Sequence, residues 1–93
     1  MYTPETIRAM VGEIIEDLKL ESARLEVELS GPGKWIHLVI TSPTFEGVND
    51  EERERIIWRE FEKRFQLEII LRITQCYLLS PQEYEEMFSK AKL

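Results

Sequence analysis

Several features that mark enzymes, metal sites and membrane proteins are scarce or missing in this sequence. The 93 residues include one cysteine, Cys76, and one histidine, His37, so no internal disulfide and no Cys-x-x-Cys metal spacing is available. No apolar run approaches the ~20 residues needed to cross a bilayer. The segment around Glu5 and Arg8 lacks the apolar block of a signal peptide. These absences favour a protein of the reducing cytoplasm.

Positive charge and glycine are also in short supply. Twelve basic residues stand against 18 acidic ones, for a net charge of −6, which has the wrong sign for neutralising phosphates. The stretch Gly31-Pro32-Gly33 precedes a predicted strand rather than a helix, so it is not a phosphate-binding loop. No Ser/His/Asp or Cys/His set has a plausible third member. We therefore do not expect an enzyme, although catalysis by Cys76 as a nucleophile is kept as an alternative.

What the sequence does have is regular patterning over its whole length. Residues 1–93 suffice for one small domain, and the hydrophobic share of 43% allows a modest core. Helical and alternating periodicities, together with cap and turn residues, predict the order αββαβα. The predicted elements are a helix over Pro4–Leu18, strands over 23–29 and 35–41, a helix over 50–65, a strand over 67–77 and a short helix from Pro81 to about Lys90.

This order predicts an α+β fold with a three-stranded mixed sheet. A short turn joins the first two strands, so they should pair antiparallel. The helix between the second and third strands is a crossover, so these two strands should run parallel with a right-handed connection. Helices are then expected to cover one face of the sheet.

One motif resembles a known family. The pattern consists of a strand that ends in serine, then a phenylalanine, a glycine and an arginine pair at the start of a helix. In this chain it reads Ser42-x-x-Phe45-x-Gly47, followed by Arg53-x-Arg55-x-Ile57-Trp58. This pattern resembles the BolA family, and the register holds without gaps as far as Tyr77. The family is similar in fold to type II KH domains.

The resemblance implies a non-enzymatic adaptor. Members of the family typically bind monothiol glutaredoxins, and some share a [2Fe-2S] cluster with that partner; others are described as transcription regulators. By this resemblance, the chain would bind a monothiol glutaredoxin or a related iron–sulfur or redox protein. The residues then expected at the partner surface are Phe45, Gly47, Arg53, Arg55, Gln75 and Tyr77.

The chain departs from the family where the cluster would bind. The family's strand-three histidine falls on Gln75, and a glutamine amide is a poor iron ligand beside imidazole or thiolate. The predicted hairpin loop, 30–34, contains no His or Cys. We therefore expect no cofactor in the isolated chain, and a shared cluster only in a complex with a partner. His37 and Cys76 are candidate replacement ligands, but the simpler interpretation is a strand histidine and a small buried thiol.

The second functional hypothesis is a KH-like nucleic-acid-binding or transcription-regulatory protein. It requires the basic residues of the second helix to form one positive face; these are Arg53, Arg55, Arg59, Lys63 and Arg64. Acidic residues interleave them, so ion pairing along the helix is the favoured interpretation. The Gly-x-x-Gly loop that KH domains place between two helices is also absent.

Overall fold

The computed structural model describes residues 3–32 and 34–89. Its elements, in chain order, are α1 (Pro4–Asp17), β1 (Arg24–Ser30), β2 (Trp35–Thr41), a 3-10 turn (Pro43–Phe45), α2 (Asp50–Arg64), α3 (Leu67–Ile70), β3 (Ile73–Leu79) and α4 (Pro81–Tyr84), which continues into a π-helical turn (Glu85–Ser89). The predicted end of the last helix at Lys90 lies outside the described residues. Within the described chain, no helix combines the length and apolar character needed to cross a membrane.

The predicted helix starts are confirmed by side-chain caps. The Thr3 hydroxyl accepts a hydrogen bond from the Thr6 amide at 3.2 Å, and the Asn49 side chain accepts one from the Glu52 amide at 2.9 Å. Ser80 and Glu83 form the full reciprocal capping box at the start of α4. Each cap satisfies an amide that the helix itself leaves without an acceptor, which fixes where the helix begins.

The sheet has the predicted topology. Its strand order is β1-β2-β3, with β1 antiparallel to β2 and β2 parallel to β3. The register between β2 and β3 is irregular at Ile36/His37, and beyond this point His37 lies opposite Gln75. The mixed three-stranded sheet with its helices confirms the α+β fold class.

The prediction for the start of the third strand was wrong. Leu67 to Ile70 form a helical turn, and the strand begins only at Ile73. Ile69 and Ile70 both pack against the core, which a helical turn permits and a strand does not, because successive strand residues point to opposite faces. Leu67 and Leu71, predicted to be strand residues on the apolar face, are each 68% exposed.

The core lies between one face of the sheet and two helices. α1 and α2 contribute the buried side chains of the helical layer, and the alternate positions of β2 contribute those of the sheet. The fully or almost fully buried members are Ile7, Val11, Ile14, Ile36, Leu38, Ile40, Ile57 and Phe61. Burying these side chains against each other is the main stabilising contribution to the fold.

The second face of the sheet is covered at one end only. The guanidinium carbon of Arg24 lies 5.3 Å from the centre of the Tyr84 ring, which places α4 beside that end. Thr41 and Leu79, which are paired at the same end, are buried. Farther along this face, around His37 and Gln75, the sheet is open to solvent as a shallow cleft.

Candidate functional site

The motif that carries the family resemblance builds the loop between β2 and α2. The Ser42 hydroxyl donates to the Glu21 carbonyl at 2.7 Å and accepts from the Thr44 amide at 3.1 Å. Phe45 is buried, and Gly47 adopts a φ of +76°, which a glycine reaches at little cost. These residues are therefore explained by the loop's own structure.

Arg53 is the centre of this arrangement. It is 5% exposed, and its guanidinium donates to the carbonyls of Val48 at 2.7 Å, Leu78 at 2.9 Å and Phe45 at 2.7 Å. A fourth hydrogen bond reaches the Glu83 carboxylate at 2.6 Å. This bond is the largest cause that lowers the pKa of Glu83. One side chain thus ties together the loop, the end of β3 and α4.

The predicted partner-surface residues near this loop differ in accessibility. Phe45 and Arg53 are buried, so they position the surrounding backbone and do not present a surface. Gly47 and Arg55 are exposed, and Arg55 is ion-paired with Glu52. Contact of these residues with a partner remains a prediction.

The other two predicted residues, Gln75 and Tyr77, lie on the open face of the sheet. Gln75 is opposite His37, and Tyr77 is opposite Val39. Trp35, His37 and Val39 alternate with the buried residues of β2 and therefore face the same side. We call this surface the open-face patch; it comprises Trp35, His37, Val39, Gln75 and Tyr77. Part of it forms a cleft of about 380 Å³ whose rim includes Arg8 and Glu28.

His37 was named from the sequence only as a weak metal candidate, yet it occupies the middle of the open-face patch. In the sheet it lies between Glu28 of β1 and Gln75 of β3. No sequence signal could place it beside Gln75, because that pairing depends on the irregular register at the start of the β2/β3 ladder.

Cys76 lies on the opposite side of the sheet from this patch. Its side chain packs against the core, and burial, followed by the nearby Glu54 carboxylate, raises the pKa of its thiol to about 12. His37 and Cys76 therefore point to different faces and cannot ligate one ion together. Among the described residues, no group of three or more His, Cys, Asp or Glu side chains is placed to hold a metal ion.

The buried thiol should be chemically inert in the folded protein. At pH 8, alkylation of Cys76 by iodoacetamide is expected to be at least about tenfold slower in the native chain than in the chain unfolded by guanidinium, because the thiolate is the nucleophile and burial disfavours it. Mass spectrometry of timed samples measures both rates. Equal rates in the two states would contradict the placement of this side chain.

The basic residues of α2 are largely paired with acidic ones. Arg55 pairs with Glu52, Lys63 with Glu60, and Arg64 with both Glu60 and Asp17 of α1. The prediction that ion pairs occupy this helix is confirmed for these residues. They do not form a continuous positive face.

Comparison with known proteins identifies the fold. No protein-family model and no curated protein matches the sequence. The structure is similar to that of BolA1 from Arabidopsis thaliana, at a TM-score of 0.57 and 18% identity over 81% of this chain and 90% of that one. It is also similar to a bol-like protein from Babesia bovis, at a TM-score of 0.53 and 19% identity over 94% of both chains. The chain therefore has a BolA-like fold, as predicted from its motif and element order.

Proposed function

We propose that this chain is a member of the BolA family and acts as a non-enzymatic adaptor that binds a monothiol glutaredoxin or a related iron–sulfur or redox protein. The observation that carries the proposal is the position of Gln75. Gln75, the position to which the ungapped motif register assigns the family's strand-three histidine, lies on the exposed face of the sheet and not in the core. The surface that the family resemblance assigns to the partner is thus accessible.

The open-face patch has the composition of a protein-binding surface. Trp35 and Tyr77 are each 39% exposed, and such half-buried aromatic side chains supply large apolar contact area with little loss of conformational entropy. Between them lie His37 and Gln75, which can donate and accept hydrogen bonds. A patch of this kind offers both anchors and polar contacts to a partner.

The residues present do not fit a [2Fe-2S] cluster held in the family's usual way. Gln75 offers an amide where an imidazole is expected, and amide oxygen is a hard donor that suits iron–sulfur clusters poorly. Cys76, the one thiol, faces the core. We therefore propose binding to the partner protein without a cluster ligand from position 75.

Anaerobic co-expression with a monothiol glutaredoxin tests the proposal. A complex should co-purify and elute at the combined size on gel filtration, with visible cluster absorbance no greater than the glutaredoxin shows alone. If no complex forms with any monothiol glutaredoxin, the proposed function fails.

A histidine at position 75 should supply the cluster ligand that Gln75 does not provide. In the complex, Gln75→His is expected to raise the fraction of cluster retained after desalting, because the new side chain lies on the exposed face beside His37. Visible absorbance per mole of complex measures this fraction. Gln82→His, at an exposed position of α4, is the matched control and should leave retention unchanged. Equal retention in both variants would show that position 75 does not face the cluster.

Nucleic-acid binding is the less favoured function. Arg55, Lys63 and Arg64 are ion-paired, and the net charge is −6. Both features oppose the release of counterions that drives binding to a phosphate backbone.

A further inference from the structure

The outer edge of β3 lacks the charged residues and the proline that usually protect an edge strand. β3 is the last strand of the sheet, and no described strand pairs with its outer side. Its sequence, Ile-Thr-Gln-Cys-Tyr-Leu-Leu, contains no charged residue, no proline and no glycine. Uncharged edge strands rich in β-formers are templates for the addition of another strand.

The direction of the peptide groups shows which part of this edge is free. The Leu79 carbonyl accepts from the Ser42 amide next to β2, so by alternation the peptide groups of Tyr77 also point toward β2, and those of Cys76 and Leu78 point outward. Arg53 already occupies the Leu78 carbonyl. The N–H and C=O of Cys76 are therefore the centre of the open segment, which spans residues 75–77, since the ladder is irregular between Ile73 and Gln75.

The opposite edge of the sheet is protected. β1 carries Arg24, Glu26 and Glu28 within seven residues, and the Arg8 guanidinium caps the outward carbonyl of Leu25 at 2.8 Å. Charges and an occupied carbonyl both discourage strand addition. The contrast between the two edges makes β3 the surface that another strand can extend.

The charge beside this edge decides between possible occupants. Glu54 of α2 is exposed and directly follows Arg53, whose guanidinium reaches the outward Leu78 carbonyl of this edge at 2.9 Å. The charge of Glu54 also acts on the Cys76 thiol. No cation among residues 3–32 and 34–89 forms an ion pair with it. A second copy of this chain, added antiparallel about a two-fold axis near Cys76, would bring two Glu54 side chains together, and like charges at an interface are unfavourable.

We propose that the outer edge of β3 binds an extended, basic segment of a partner protein by strand addition. The backbone of the segment pairs with the N–H and C=O of Cys76, and a Lys or Arg of the segment lies beside Glu54. This mode of binding is independent of whether the partner is a glutaredoxin.

A synthetic peptide of alternating valine and lysine tests the proposal on the ¹⁵N-labelled chain, alongside a valine–glutamate peptide and a fully N-methylated valine–lysine peptide. At peptide concentrations up to about 1 mM, the lysine peptide should shift the amide signals of Cys76 and Tyr77 most strongly. The N-methylated peptide, which cannot donate to the edge, should shift neither.

Reversing the charge of Glu54 is the second test of the proposal. Glu54→Lys is expected to weaken binding of the lysine peptide about two- to fivefold and to strengthen binding of the glutamate peptide, as for an exposed ion pair. Glu62→Lys, two helical turns away on α2 and also exposed, should have no such effect. Undetectable binding, equal binding of the N-methylated peptide, or shifts centred on β1 would each overturn the proposal. So would sedimentation of the chain as a dimer whose interface includes Cys76, because the occupant would then be a second copy.

Discussion

Arg53→Ala is expected to lower the free energy of unfolding by about 3–5 kcal/mol, the range seen when one partner of a buried charged network is removed. The substitution leaves the carbonyls of Val48 and Leu78 without the guanidinium donor, whereas the Phe45 carbonyl keeps the Val48 amide as a donor. Each unsatisfied buried carbonyl costs about 1–3 kcal/mol before relaxation. Urea denaturation followed by circular dichroism measures the loss. For so small a domain this is a large fraction of the total stability.

Two further variants test whether the loss of stability comes from the hydrogen-bond network of Arg53 or from the loss of any charged residue of this region. Glu83→Gln removes only the negative charge of the one partly exposed partner of Arg53 and keeps an acceptor oxygen, so a smaller loss of about 1 kcal/mol is expected. Arg55→Ala removes an exposed ion pair on the same helix, two residues along the chain from Arg53, and should change stability by less than about 1 kcal/mol. If Arg53→Ala were as mild as Arg55→Ala, Arg53 would not hold the loop, β3 and α4 together.

Phe61→Ala is expected to destabilise the chain by about 3–5 kcal/mol, because it removes a large, fully buried side chain and leaves a cavity. Its ring meets Trp58 edge-on at 5.0 Å between centroids and stacks on Phe65 at 5.2 Å. Both aromatic contacts would be lost with it. Thermal unfolding and urea midpoints measure the effect.

Leu67→Ala is the control for this prediction. The residue is apolar and precedes β3 by a few positions, yet it is 68% exposed, so the expected change is within about 0.5 kcal/mol. A loss comparable with that of Phe61→Ala would mean that the strand begins at Leu67 after all and that its side chain is buried.

The elements that could be predicted from sequence are those with a local cause. α1 follows from the Thr3 cap and apolar residues at helical spacing, and β1 follows from strict alternation that ends in a glycine turn. β2 begins and ends at the predicted residues, Trp35 and Thr41. In each case the decisive interactions join residues close together in the chain.

The elements that could not be predicted depend on distant partners. The row Leu67, Ile69 and Leu71 alternates like a strand, but Ile69 and Ile70 pack together against the core, and this favours a helical turn. Arg53 reads as a surface residue of a charged helix, because the carbonyls that bury it belong to segments remote in sequence.

In the candidate site, too, features with a local cause could be predicted and features that depend on distant partners could not. Alternation from the sequence places Gln75 and Tyr77 in one otherwise apolar row. The structure keeps the two residues on one face, but that face is open to solvent, and Cys76 and Leu78 face the core instead. The sequence could not show that His37 joins Gln75 and Tyr77, because a shift in register aligns His37 with Gln75. The sequence also could not show that the motif residues Ser42, Phe45 and Arg53 stabilise the loop between β2 and α2.

The most direct test of the account is a titration of the ¹⁵N-labelled chain with an apo monothiol glutaredoxin, followed by amide chemical shifts. The proposed function predicts saturable shifts concentrated on the open-face patch, above all at His37, Gln75 and Tyr77. No shifts at all, or shifts confined to α1 on the far side of the sheet, would contradict the assignment of this surface to a partner and the adaptor function with it.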